Sequence, residues 1–76
     1  MNNKEKKRLV AESMQALEQA VFSQDIALVY EQIDTLEKLT SSGFTIAILH
    51  DIATTNKRTG NVLIDGFLQD ILEEVQ

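Results

Sequence analysis

The histidine at position 50 is the first side chain to consider for chemistry, because it is the only histidine and an aspartate follows it. A catalytic base needs a second group that orients it. His50 and Asp51 are neighbours in a segment of helical character, so their side chains point about 100° apart and do not form such a pair. A lone histidine also cannot build a metal site. We therefore expect His50 to be a partly exposed helix residue.

Carboxylates at helical spacing are the second group that could do chemistry. Glu31 precedes Asp34, and Asp70 precedes Glu73 and Glu74. Paired carboxylates can serve acid–base catalysis, but a solvated acidic face is the commoner use. The sequence has no cysteine, no HExxH motif, no glycine-rich phosphate loop and no nucleophile elbow. We expect no catalytic residue, cofactor or metal, and hence a protein that is not an enzyme.

Basic residues form two short groups. Residues 57–61 (Lys-Arg-Thr-Gly-Asn) precede a helix and could hold an anion, although two basic residues make a weak phosphate site and a solvated turn is the simpler interpretation. Residues 4–8, the basic head, carry four basic residues and one acidic residue. This head could contact nucleic acid, or it could be a frayed, solubilising terminus. The rest of the chain carries three basic and eleven acidic residues, so binding of nucleic acid or a membrane by the main body is not expected.

The elements that position these residues are predicted to be helices. Proline is absent, and apolar residues recur every three or four positions. Helix 1 is predicted over residues 4–22 and helix 2 over residues 25–40, with Ser23 or Asp25 as the N-cap of helix 2. The predicted apolar face of helix 1 comprises Val10, Met14, Leu17 and Val21, and that of helix 2 comprises Ile26, Val29, Ile33, Leu36 and Leu39.

Turn residues divide the second half of the chain. Gly43 is predicted to end helix 2, because glycine readily adopts the left-handed conformation. Thr45 is the predicted N-cap of helix 3, with Phe44 and Leu49 at the spacing of a hydrophobic staple. Residues 54–60 are polar and predict a frayed helix end followed by a turn. Asn61 then caps helix 4, which is predicted to reach Val75.

Helix 4 has more apolar residues than one narrow stripe can hold. It contains Val62, Leu63, Ile64, Phe67, Leu68, Ile71, Leu72 and Val75. This breadth predicts that helix 4 is either central in the fold or shared with a partner. Gly66 costs about 1 kcal/mol relative to alanine in an exposed helix, so a close helix crossing at Gly66 would explain its presence.

Together these segments predict an all-α fold, a small antiparallel bundle of four helices with short connections. We expect a single helical domain over residues 1–76, in which residues 1–8 form a basic head that could be frayed. Both chain ends should lie at the same end of the bundle, which would bring the head near Asp70, Glu73 and Glu74. No apolar run reaches membrane-spanning length, no signal peptide is visible and no disulfide can form. We expect a cytoplasmic protein.

One part of the sequence resembles the N-terminal domain of transcription elongation factor S. The resemblance rests on residues 36–39 (Leu-Glu-Lys-Leu), Thr45, Ile48 and Leu49 within a run of short helices. It implies a small helical bundle that docks other transcription factors. The chain lacks that family's Ile-Gly followed by a basic helix, and its end is acidic instead of rich in tryptophan and lysine.

Another part, residues 49–75 with Asn56 and Leu63, is similar to the helical chaperones of flagellar export. The two families are unrelated and match comparably, so we adopt neither. Both are binding modules.

Abundant apolar helical surface without a chemical site predicts a non-enzymatic protein–protein interaction module, such as a regulator, inhibitor, chaperone or immunity-type protein. The alternatives are a self-assembling structural subunit, a nucleic-acid accessory protein that uses the basic head, and a transcription-factor docking bundle. The expected partner is another protein, a second copy of the chain, or both. A homodimer through helix 4 would use an interface that comprises Leu63, Gly66, Phe67, Leu68 and Ile71.

Overall fold

The computed structural model describes residues 2–76, which form four α-helices in an all-α bundle. The helices are α1 (Asn3–Ser23), α2 (Ile26–Leu39), α3 (Ser42–Thr59) and α4 (Val62–Val75). Two residues connect each helix to the next, so consecutive helices run antiparallel. The predicted fold class is therefore confirmed. Met1, the first residue of the predicted domain and head, lies outside the described residues.

The bundle consists of two helical hairpins. Packing is most extensive within each hairpin, between α1 and α2 and between α3 and α4, and less extensive between the hairpins. The hairpins are staggered along a long axis of 40 Å. The last residue, Gln76, lies beside His50 near the middle of α3, so α4 ends well short of the start of α3.

One apolar core joins all four helices. Four leucines, one on each helix, have no exposed surface: Leu17, Leu36, Leu49 and Leu68. Around them lie other buried apolar residues from the predicted stripes: Val21, Val29, Ile33, Ile48, Ile52, Ile64, Ile71 and Leu72. The burial of Leu17, Ile33, Leu36 and Ile71 is the arrangement that the helical periodicity requires.

Each helix begins at a residue whose side-chain oxygen accepts a hydrogen bond from the backbone N–H three residues later. These N-caps are Asn2, Asp25, Ser41 and Asn61. Such a bond satisfies one of the backbone donors that have no partner inside the helix. The structure confirms Asn61 as the cap of α4, and of the two predicted alternatives for α2, Ser23 and Asp25, the cap is Asp25.

The predicted start of helix 3 is wrong. The N-cap is Ser41, whose hydroxyl accepts from the N–H of Phe44 at 3.2 Å. Gly43 lies inside the first turn of α3 and does not end α2. Thr45 is fully buried, and its hydroxyl donates to the carbonyl of Ser41 at 3.2 Å. The earlier cap satisfies the first backbone donors of the helix and turns Thr45 toward the core.

The predicted frayed end of helix 3 is also wrong, because α3 continues without a break to Thr59. The hydroxyls of Thr54 and Thr55 donate to carbonyls one turn earlier. Ala53 and Asn56 are buried. Burial of this face against α4 outweighs the weak helix propensity of threonine and asparagine. The helix ends at Gly60, which has the left-handed φ of 73°.

The basic head is part of a helix. Residues 4–8 form the first turns of α1, and side chains 2–8 are exposed. Among residues 2–76 the only ion pair joins Lys38 to Asp34 at 2.9 Å. The hydrogen bond to Asp34 and the negative charge of that carboxylate raise the pKa of Lys38.

The predicted neighbourhood of the head and the carboxylates of α4 is wrong. Lys6 and Lys7 lie beside Thr40 at the end of α2, whereas Glu74 contacts Tyr30 near the start of α2, because α4 ends well short of the start of α3.

None of the helices in residues 2–76 combines the length and the apolar character needed to cross a membrane.

Candidate functional site

The structure divides the predicted interface residues of α4 between the surface and the core. Leu63 is 78% exposed and Gly66 is also exposed. Phe67 is half-buried and packs against the core. Leu68 and Ile71 are 0% and 2% exposed and belong to the core of the monomer. The five residues do not form one surface, because Leu68 has no accessible area for a partner and Ile71 has almost none.

The division follows from the helical period. At about 100° per residue, Leu63 and Phe67 share one side of α4, while Leu68 and Ile71 lie on the side that faces the core. Gly66 lies on the outer side. A Cβ placed on Gly66 would meet no atom within 4 Å. The close helix crossing predicted at Gly66 is therefore not made within the described chain.

Phe67 lines a groove between α2 and α4, here called the α2–α4 groove. Its apolar lining comes from Ile26 and Tyr30 of α2 and from Phe67 and Ile71 of α4. Ile26 was predicted to lie on the buried face of helix 2, but it is 55% exposed. It is the first residue of α2, where the core does not extend to cover it. Leu63 lies one helical turn before Phe67 on the same side of α4 and extends the apolar surface.

The rim of the α2–α4 groove is acidic. Asp70, Glu73 and Glu74 line it from α4. The hydroxyl of Tyr30 donates a hydrogen bond to the carboxylate of Glu74, which joins α2 to the last turn of α4. An apolar lining beside carboxylates can hold the apolar side chains of another molecule while attracting its positive charges.

A second, smaller cleft lies at the corner where α3 turns into α4, here called the corner cleft. It is lined by Asn56, Lys57, Gly60, Asn61, Val62 and Asp65. Asn56 is fully buried, and its amide donates to the carbonyl of Asn61 at 3.0 Å. The remaining side-chain oxygen of Asn56 and one carboxylate oxygen of Asp65 are buried and have no hydrogen-bond partner within residues 2–76.

The corner cleft includes three of the five residues 57–61 for which the sequence left open an anion site or a solvated turn. Asp65, an acidic residue, lines the same cleft. An anion needs donors, and a carboxylate repels it. The structure therefore argues against the anion site. Arg58 and Thr59 are exposed residues of the last turn of α3, and Thr59 bonds to the carbonyl of Asn56.

The remaining candidates for chemistry stand apart from one another. His50 is exposed, and its Nε2 lies 3.2 Å from the side-chain nitrogen of Gln76. Asp51, Glu31 and Asp34 are also exposed. No group of three or more histidine, aspartate or glutamate side chains in residues 2–76 could hold a metal ion. These side chains are not brought into a shared pocket.

Sequence reasoning missed Asn56, although a signal was present. Leu49, Ile52, Ala53 and Asn56 follow the spacing of one helical stripe, and all four are buried. Continuing the stripe through the polar segment 54–60 would have placed Asn56 in the core. Ile26 and Tyr30 had no comparable signal, because the exposure of Ile26 and the partial burial of Tyr30 depend on how far the core of the folded bundle extends.

No protein-family model, curated protein or solved structure matches this chain. Neither resemblance considered from the sequence gains support from these comparisons.

Proposed function

We propose that this chain is a non-enzymatic protein-binding module that docks a partner protein along the α2–α4 groove and the adjoining side chain of Leu63. The supporting observation is the exposure of Leu63 and Ile26, at 78% and 55%, beside a core that is complete without them. Each large apolar side chain left in water forgoes about 1.5–3 kcal/mol of burial. Clustered exposure of this kind marks contact surfaces.

The shape of the surface suits a partner helix. The groove lies between two helices, and Leu63 continues it along α4 by one turn. An amphipathic partner helix has apolar side chains one turn apart along one face. These side chains could contact Leu63 and Phe67 of α4 and Ile26 of α2. The carboxylates of Asp70, Glu73 and Glu74 favour a partner with lysine or arginine beside its apolar face.

The test is affinity capture with three variants, followed by titration of each recovered protein after purification. Leu63→Glu and Ile26→Glu place a charge in the apolar surface and should weaken binding by about tenfold or more, as substitutions at interface hot spots do. Gln19→Glu adds the same charge at an exposed position of α1 and is the matched control. A partner that binds the unmodified chain and all three variants equally does not use this surface, and that result would contradict the proposal.

Self-association is a second candidate function, favoured by a specific observation at the start of α4. Val62 and Leu63 are neighbouring apolar residues, 81% and 78% exposed, and Gly66 leaves open space one turn later. A second copy of α4 could approach closely there around a two-fold axis. The mass of the isolated chain in solution separates this candidate from the first.

A further inference from the structure

Opposite charges lie at the two ends of α2. Lys6 and Lys7 of the basic head lie beside Thr40, which follows the last turn of α2. The carboxylate of Glu74 contacts Tyr30 near the start of the same helix. Tyr30 and Thr40 are about 15 Å apart along the helix axis. Within residues 2–76 no ion pair joins the head to the carboxylates of α4, so both groups are available to another molecule.

Each group also lies at the helix end that disfavours its charge. The first turn of a helix carries a partial positive charge and the last turn a partial negative charge. Lys4 and Lys6 nevertheless lie in the first turn of α1, with only Glu5 against them. Glu73 and Glu74 lie in the last turn of α4, which has no basic residue. This arrangement helps neither helix in the isolated chain, but it favours contact between the start of one α1 and the end of another α4.

Apolar side chains accompany the charges of the head. Lys6 and Lys7 line a cleft, here called the head cleft, together with Val10, Ala11 and Met14 of α1 and Thr40. Lys6, Val10 and Met14 follow one another at intervals of four residues, so they lie along one side of α1. Val10 and Met14 are only partly buried. The start of α1 therefore combines lysine with an apolar helical face, which complements the acidic rim and the apolar lining of the α2–α4 groove.

We propose that the α2–α4 groove of one copy binds the first turns of α1 from a second copy of this chain. Lys6 and Lys7 of one copy face Asp70 and Glu73 of the other. Exposed ion pairs contribute little by themselves, so the contact also requires Val10 to pack on the apolar lining of the groove. This choice of partner rests on the docking function proposed for the groove. It differs from the two-fold contact between α4 helices, because two unlike surfaces meet.

Each copy has one head cleft and one groove. Two copies can therefore exchange both contacts, or further copies can add in head-to-tail order. In both arrangements the chain of 8.5 kDa should have at least twice its own mass at high micromolar concentration and low ionic strength. Added salt should lower the mass, because it screens the exposed charges.

The experiment is charge reversal followed by light scattering of the full chain. The head variant combines Lys6→Glu and Lys7→Glu, and the groove variant combines Asp70→Lys and Glu73→Lys. All four side chains are exposed, so both variants should fold, which circular dichroism checks. Each variant alone should be a monomer, because its head cleft and its groove carry the same sign of charge. An equimolar mixture should associate again, because each head cleft then meets a groove of opposite charge.

General attraction between the two variants would not explain association of the mixture. Each pair of substitutions changes the formal net charge of −5 by four, so the variants carry −9 and −1 and both remain negative. Two controls should keep the mass of the unmodified chain. Glu18→Lys with Glu37→Lys makes the charge change of the groove variant at exposed positions outside the groove and the head cleft. Val62→Glu disrupts only a contact between α4 helices.

A monomeric mass for the unmodified chain, or for the mixture of the two variants, would overturn the proposal. Dissociation by Val62→Glu would also overturn it, since the contact would then belong to α4 alone. Dissociation by the control with two lysines would show a general effect of charge and would count against it equally. If a reversed variant does not fold, Lys6→Gln with Lys7→Gln replaces it, and an unchanged mass of that variant would overturn the proposal.

Failure of this proposal is distinguishable from failure of the docking function. A chain that is monomeric under all conditions can still bind a different protein through the groove. The capture experiment with Leu63→Glu and Ile26→Glu tests that binding separately, because it measures a recovered partner and not the mass of the chain.

Discussion

The side-chain amide of Asn56 donates a hydrogen bond to the backbone carbonyl of Asn61, at 3.0 Å, across the turn between α3 and α4. Asn56 is fully buried, whereas Asn61 is exposed and caps α4 with its own side chain. One asparagine thus fixes the path of the turn from inside, and the other starts the next helix. The bond connects the last turn of α3 to the N-cap residue of α4.

Asn56→Ala should destabilise the fold by about 1–3 kcal/mol, because the carbonyl of Asn61 loses its buried donor. Urea unfolding followed by circular dichroism measures the change. Thr54→Ala is the control. The hydroxyl of Thr54 is exposed and bonds only to its own helix, so its loss should change stability by less than about 0.5 kcal/mol. Equal effects of the two substitutions would contradict a structural role for Asn56.

Leu68→Ala and Leu63→Ala make a matched pair on α4, since they remove the same atoms from a buried and an exposed position. We expect Leu68→Ala to cost about 2–5 kcal/mol, the range for leucine in a packed core. Leu63→Ala should change the free energy of unfolding by less than about 0.5 kcal/mol. Thermal or urea unfolding measures both. A large loss at Leu63 would show that this residue is buried in solution.

Two glycines should respond oppositely to replacement by alanine. Gly66 lies in an exposed helix interior with open space around it, so Gly66→Ala should stabilise the chain by about 0.5–1 kcal/mol. Gly60 has the left-handed φ of 73°, which disfavours a side chain, so Gly60→Ala should destabilise it. Urea midpoints of the two variants provide the test. A destabilising Gly66→Ala would mean that something packs against this residue.

Self-association makes a separate prediction for light scattering at high micromolar concentration. Under the second candidate function, the unmodified chain of 8.5 kDa should have twice its own mass. Leu63→Glu should be a folded monomer, because the substituted side chain is exposed. Gly66→Ala should weaken the dimer although it stabilises the monomer. A monomeric mass for the unmodified chain rules out this candidate and leaves the docking of a different protein.

Local sequence determined the number of helices and most of their limits. The stripes through Leu17, Ile33 and Leu36 repeat with the helical period, and each of these residues is buried. Asp25 and Asn61 act as caps because the capping bond spans only three residues and needs no distant partner. These features depend on neighbours along the chain, so they could be predicted without knowing how the helices pack.

Tertiary structure decided which part of each apolar surface is buried and how far α3 extends. The period of α4 gives the angles between Leu63, Phe67 and Leu68, but it does not say which of them faces the other helices. That choice depends on the position of α2 and α3, and it leaves Leu63 in solvent while Leu68 enters the core. The same packing extends α3 through a polar segment as far as Gly60. Burial of Asn56 against α4 outweighs the weak helix propensity of asparagine.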